Sequence, residues 1–301
     1  MSEPSVDTAP APAGRASAPE GTRVVTVRGA SVRVRETGRP DRPTVLALHG
    51  IGRSLEDWAP QHDRLADRRR VLSMDLPGFG FSDRLPGPIT LPALADGVLA
   101  TLDALGETGP VHVLGNSLGG AVALQVLARQ PDRVRTLVLV NSAGFGKEVT
   151  IALRLLAVPG LGRRLLRGDR RAARRAEESL FVDHSFVTDE RLDLAVALAN
   201  RPQTSAVFLE AARELGSFRG VRAGWRAELL DAITAHPRPT LLLWGDRDLI
   251  LPAQHLRVAR QLLPHAQSHV FGETGHMPQV ERADRFAELV GAFLDRSDPP
   301  G

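Results

Sequence analysis

Val111-His112-Val113-Leu114-Gly115-Asn116-Ser117-Leu118-Gly119-Gly120 decides how the rest of the chain is read. A β-branched apolar run enters a G-x-S-x-G turn, and an Ala/Leu-rich pattern of helical period, Ala121 to Gln130, leaves it. A serine at such a turn stands clear of the sheet, and the following N–H groups point into the same space. Gly115 and Gly119 suit a turn in which strand and helix pack too closely for side chains. The five-residue motif is weak alone; its strand-turn-helix setting makes it informative.

Outward from this turn, continuous apolar runs recur. Thr44-Val45-Leu46-Ala47-Leu48, Val71 to Asp75, Arg135 to Val140 and Thr240 to Trp244 read as strands buried on both faces, as in a parallel sheet. Helices are predicted from about Leu91 to Leu105, Ala253 to Leu263 and Arg282 to Asp295, with a further strand around His269-Val270-Phe271. Thr22 to Arg28 and Ser31 to Arg35 alternate at period two about Gly29-Ala30, which predicts an exposed antiparallel hairpin at a sheet edge. The alternation predicts an α/β fold with a mostly parallel, doubly wound sheet. Between about Phe145 and His236 only helical stretches separated by Pro and Gly are found. The predicted organisation is therefore a tail over 1–20, a core over 21–144 and 237–298, and a helical cap inserted over 145–236.

Composition narrows the chemistry. The chain has 301 residues, enough for one large domain with an insertion, and no cysteine, so disulfides and thiol nucleophiles are excluded. Net charge is only +3, aromatics are 4% of residues, and Lys147 is the sole lysine; clustered charge with interleaved aromatics, as a nucleic-acid surface needs, is not seen. Met1 to Glu20 is rich in Pro, Ala and Ser and has the pattern of neither a signal peptide nor a membrane anchor. A cytoplasmic protein is expected. The Arg-rich stretch Arg163 to Arg175 reads as a solvated helix face. No histidine pair stands at metal spacing, so neither a metal nor another cofactor is expected. His112, on a buried strand, is read as a satisfied core or surface-facing residue.

A serine hydroxyl needs an imidazole to take its proton and a carboxylate to hold that imidazole. Trp244-Gly245-Asp246-Arg247-Asp248 and Gly275-His276-Met277-Pro278 each follow an apolar strand, which places both groups at the strand ends where α/β sheets carry their sites. Together with His49-Gly50, Asp75-Leu76-Pro77-Gly78-Phe79-Gly80-Phe81-Ser82-Asp83 and Gly115-Asn116-Ser117-Leu118-Gly119, in this order, these stretches resemble the α/β-hydrolase superfamily from about Thr22 to the last helix. The resemblance implies Ser117 as nucleophile, His276 as general base and acid, and Asp248 as the carboxylate. Asp248 lies three residues after Gly245 and four before Pro252, as the family pattern has it, and Asp246 is its rival. Backbone N–H groups of Ile51 and Leu118 are expected to form the oxyanion hole, with His49 a structural histidine beside it.

Serine at the elbow departs from epoxide hydrolases and haloalkane dehalogenases, which carry aspartate there. The implied activity is hydrolysis of an apolar ester of small or medium size through an acyl-enzyme. The Gly-Asn-Ser-Leu-Gly-Gly elbow and helical cap also resemble hydrolases that cleave carbon-carbon bonds in ring-cleavage products, from which Met277 after His276 and Arg53-Ser54 after Gly52 depart. A ligand-binding protein on the same fold is the alternative of another class. Apolar cap residues such as Leu155, Leu156, Val158, Phe181, Phe186 and Phe208 are expected to contribute some walls of the substrate pocket.

Overall fold

Burial along single strands shows why the sheet takes helices on both faces. In β3 (Thr44–Leu48), Leu46 and Leu48 enter one apolar cluster, Val45 and Ala47 enter another, and none of the four is more than 1% exposed. β5 (Val111–Asn116) and β9 (Thr240–Gly245) divide in the same way, Leu242 and Trp244 to one side, Leu241 and Leu243 to the other. Each fully buried Leu contributes on the order of 1.5 to 3 kcal/mol, so only strands apolar on both sides can occupy the centre of such a sandwich.

The structure, a computed structural model, describes residues 19–298 except 163–165 and 167; the expected tail over 1–20 lies outside these residues apart from Pro19 and Glu20. The main sheet has eight strands in the order β1-β2-β4-β3-β5-β6-β9-β10, with β1 (Thr22–Val27), β2 (Ala30–Thr37), β4 (Arg70–Met74), β6 (Val134–Val140) and β10 (Gln267–Phe271) completing it. The β1–β2 and β2–β4 pairs are antiparallel and the others parallel. Helices α1 (Ala59–Leu65), α2 (Leu91–Ala104), α3 (Leu118–Arg129), α9 (Gln254–Leu262), a short turn α10 (Pro278–Glu281) and α11 (Ala283–Ser297) connect or follow the strands. Successive connections turn opposite ways from β3: β4 lies on one side of it and β5 on the other. A crevice opens at such a switch point, at the C-terminal ends of the strands.

Between β6 and β9 come α4 (Ile151–Leu156), α5 (Arg170–Glu178), α6 (Asp189–Ala199), α7 (Thr204–Leu215) and α8 (Ala223–Ala235). This stretch is not wholly helical, because β7 (Gly216–Ser217) and β8 (Gly220–Val221) form a two-stranded antiparallel ribbon. A second correction concerns the N-terminal hairpin. β1 lies at the edge, but β2 is interior, and Val32, Arg33, Val34 and Arg35 are all buried. Arg33 is accommodated because its guanidinium donates to Asp75 at 2.7 and 3.2 Å and to Glu56 at 2.7 Å. No helix among the described residues is long and apolar enough to cross a membrane.

Candidate active site

Ser117 sits at φ 56°, ψ −117°, between β5 and α3. A non-glycine residue in that conformation stores strain, which the surrounding bonds must hold. They do so from three directions: Ser117 N donates to Val140 O at 3.0 Å, and Ser117 O accepts from Gly120 N and Ala143 N, each at 3.1 Å. The flanking glycines allow the close approach. A Cβ on Gly115 would lie 2.3 Å from Gly119 O, and one on Gly119 would lie 2.2 Å from Leu48 O.

Asp248 and His276 emerge beyond β9 and β10, as their place in the sequence implies. His276 Nδ1 lies 2.7 Å from Asp248 Oδ2, so this nitrogen carries the proton and leaves Nε2 to accept one. The Asp248 carboxylate is fully buried and also accepts from Asn141 Nδ2 at 2.6 Å and from the N–H groups of Ile250 and Leu251 at 2.7 and 3.0 Å. Asp246 is differently employed. It accepts from Thr274 N at 3.2 Å and its side chain is 35% exposed, so it braces the loop without meeting His276.

Ser117 Oγ makes no hydrogen bond to the His276 ring among the described residues. The two residues are linked instead through the neighbour of Ser117, because the Asn116 side-chain amide Nδ2 donates to His276 O at 3.1 Å and to Val140 O at 3.2 Å. Resting sites commonly leave the serine–histidine contact loose until a substrate is bound.

Ile51 and Leu118 both line the cavity that contains Ser117, and among the described residues neither N–H donates to another backbone group. His49 steadies this loop without reaching the reaction centre. It is fully buried, its Nε2 accepts from Leu76 N at 2.9 Å, and its Nδ1 therefore donates to Gly50 O at 2.7 Å. Burial lowers its pKa below the ordinary histidine value, which favours this neutral form.

Several of these partners escape a reading of the sequence. Asn141 ends a buried strand at φ 42°, a local hint, but its bond to Asp248 spans 107 residues. Glu281 gives no hint: its buried carboxylate accepts from Gly275 N at 2.7 Å and, across to the inserted segment, from Val182 N at 2.9 Å and Asp183 N at 2.8 Å. Leu180 O accepts from His276 N at 2.7 Å. The histidine loop is thus tied to the insertion on two sides.

The cavity has about 560 Å³ of empty space, part of it open to solvent, and is walled largely by Ile51, Val149, Leu153, Leu215, Trp225 and Ile250. Arg154 is the charged residue among its described lining residues. None of the six apolar residues expected as walls is among them. Phe181 and Phe186 pack with Leu192, Met277 and Val280 in a satellite core, and Phe208 abuts Gly52. Aromatic size predicts burial better than it predicts direction.

His112 is satisfied by Thr136 and Asp298, each at 2.9 Å, and of the Arg-rich stretch Arg163 to Arg175, in which Arg163, Arg164 and Arg167 lie outside the described residues, Arg170 pairs with Asp189 and Asp193. No group of three or more His, Asp or Glu that could hold a metal occurs among the described residues.

Comparison with known proteins agrees with this architecture. The 2-hydroxymuconate semialdehyde hydrolase of Pseudomonas sp. (strain CF600) is 34% identical over 261 residues, 84% of this chain and 87% of that one. The dihydrolipoyllysine-residue acetyltransferase component of the acetoin cleaving system of Pseudomonas putida is 33% identical over 268 residues, 89% of this chain and 68% of that one. Among solved structures, the meta-cleavage product hydrolase from Pseudomonas fluorescens IP01 superposes with a TM-score of 0.77 at 27% identity, over 92% of this chain and 98% of that one. A putative lipase from Acinetobacter baumannii AYE gives 0.77 at 25%, over 92% and 91%. The family model for the alpha/beta hydrolase fold matches residues 43–283, and the chain belongs to that family.

Proposed function

We propose that this hydrolase cleaves a carboxylic ester with an apolar acyl group through an acyl-enzyme formed on Ser117. The observation that carries this reading is the cavity: Ser117 opens onto mainly apolar walls, and Ile51 and Leu118, whose N–H groups donate to no other backbone group among the described residues, line the same space. Ser117 Oγ attacks the carbonyl carbon as His276 Nε2 takes its proton, and the carbonyl oxygen, now negative, turns to the two N–H groups. The tetrahedral intermediate collapses, the alcohol leaves with the proton from His276, and water repeats the sequence to release the acid. Asp248 keeps the histidine in the tautomer this requires. One oxyanion donor is worth about 3 to 4 kcal/mol in such sites. The segment 145–236 acts as the cap, supplying Val149, Leu153, Ala212, Leu215 and Trp225 to the cavity.

Carbon-carbon hydrolysis of a ring-cleavage product is the second reading, favoured by relatives named for 2-hydroxymuconate semialdehyde and 2-hydroxy-6-oxo-2,4-heptadienoate. A dienoate carries a carboxylate and an enol, which ask for several polar partners. Here Arg154 and Ser217 are the polar cap residues lining the cavity. A panel of 4-nitrophenyl esters of increasing acyl length, run beside a 2-hydroxy-6-oxodienoate, separates the two. Turnover of butyrate or hexanoate esters, abolished by Ser117→Ala, with no turnover of the dienoate, supports the ester reading. Turnover of the dienoate alone overturns it.

A further inference from the structure

Two arginines and two carboxylates meet beside the oxyanion loop in a closed ring. Arg53, directly after Gly52, donates through Nε and Nη2 to Asp57, each bond 2.8 Å. Arg191 on α6 donates through Nε to Glu177 on α5 at 3.0 Å. Two links cross between these pairs: Arg53 donates to Glu177, and Arg191 Nη2 donates to Asp57 at 3.1 Å. The Asp57 and Glu177 side chains are 3% and 1% exposed, so these are charges withdrawn from water. Arg191 Nη2 also lies 3.8 Å from Sδ of Met277, the neighbour of His276, and its guanidinium stands 4.9 Å over the Phe181 ring.

The ring divides along the boundary between core and cap. Arg53 and Asp57 belong to the core, Glu177 and Arg191 to the cap, and each half is neutral and internally paired. The halves can therefore part without stranding an unpaired buried charge, whereas deleting one member strands its partners. Arg53 also closes the oxyanion turn, since its N–H donates to Gly50 O at 3.2 Å across Ile51 and Gly52, with Gly52 at φ 70°. Holding the Arg53 guanidinium from the cap thus holds the turn that presents the Ile51 N–H.

We propose that Arg53 is a positioning residue through which docking of Glu177 and Arg191 completes the oxyanion hole, so that the hole is fully formed only when the cap is seated. The inference rests on Ser117 as nucleophile and Ile51 N–H as oxyanion donor, and it is independent of which acyl compound is cleaved.

Glu177→Gln tests it, with Arg53→Lys as a second variant that keeps the charge and loses the planar fork. The measurements are kcat and KM for a short activated ester, the dissociation constant of an alkyl trifluoromethyl ketone, whose adduct with Ser117 places a negative oxygen in the hole, and Tm. Both variants should lower kcat by about 10-fold or more with KM within about 3-fold, and ketone affinity should fall by a similar factor. Glu177→Asp should restore part of both. Arg170→Gln, which cuts ion pairs confined to the cap, should leave both unchanged. A lower Tm with kcat and ketone affinity intact, or a rise in KM alone, overturns the proposal by reducing the ring to a staple between core and cap. Ketone binding needs no ester, so a wild-type protein that binds the ketone and cleaves no ester refutes the ester reading and leaves this test in force.

Discussion

The sheet edge and the cavity wall that the insertion lends are built to opposite rules. At the sheet edge the Asp248 carboxylate accepts from His276, Asn141, Ile250 and Leu251, and the backbone of Ser117 is held by Val140, Gly120 and Ala143. In the insertion, α4 has no buried residue, yet it lends Leu153 and Arg154 to the cavity. Strained and charged groups need a frame that allows one arrangement. Apolar walls need only shape, which side chains can alter without moving the frame. On the function proposed above, reaction geometry would reside in backbone turns of the core, and substrate preference in exchangeable side chains of the segment 145–236.

The largest effect that would break this division is expected at Asp248. Asp248→Asn should lower kcat/KM by about 10³-fold to 10⁴-fold, because an amide no longer fixes the His276 tautomer or stabilises the imidazolium. Asp246→Asn, which perturbs a half-exposed loop brace, should cost less than about 10-fold. Steady-state kinetics of the two variants decide it, and equal losses would remove Asp248 from its assigned place.

A smaller effect is expected on the stability of the core. His62 bridges Thr37 Oγ1 and Ser73 Oγ, each at 2.8 Å, and burial lowers its pKa to about 3. The unfolded chain, with an ordinary histidine near 6.5, binds this proton first as pH falls. The folded core therefore loses stability from about pH 6.5 down to about 3 and is unaffected by this group above 6.5. Between pH 7 and 4.5 the wild-type protein should lose about 2 to 3 kcal/mol more unfolding free energy than His62→Gln, as read by urea denaturation. Equal losses would mean that the core admits the charge.

The strand-end positions of Ser117, His276 and Asp248, the residues proposed as nucleophile, base and carboxylate, are legible in the sequence because each lies beside its own strand in short-range patterns: an apolar run, a turn residue, a glycine. The partners that complete them are not. Asn116 meets His276 across 160 residues, and Glu281 meets Val182 across 99, distances over which no local periodicity carries information. The interior place of β2 is hidden for a related reason. Its alternating arginines look solvent-facing until Asp75 and Glu56 arrive from other parts of the chain. The β7–β8 ribbon is two residues per strand, too short for period-two alternation to show. The cavity walls are not legible because the size of a side chain does not say which way its helix turns it.

A fixed reaction frame under a substrate-selecting segment 145–236 is put to the test by Ala212→Phe, which narrows the cavity from α7 and leaves Ser117, Asp248 and His276 unchanged. The measurement is kcat/KM for acetate and octanoate esters of one activated alcohol, in the wild-type protein and the variant. Octanoate should fall by about 10-fold or more while acetate stays within about 3-fold, since one or two methylenes of lost space are worth about 1 to 3 kcal/mol to the longer chain. A parallel fall for both esters, or an unchanged ratio, would contradict the account and place selectivity in the loops around Ile51 and Met277.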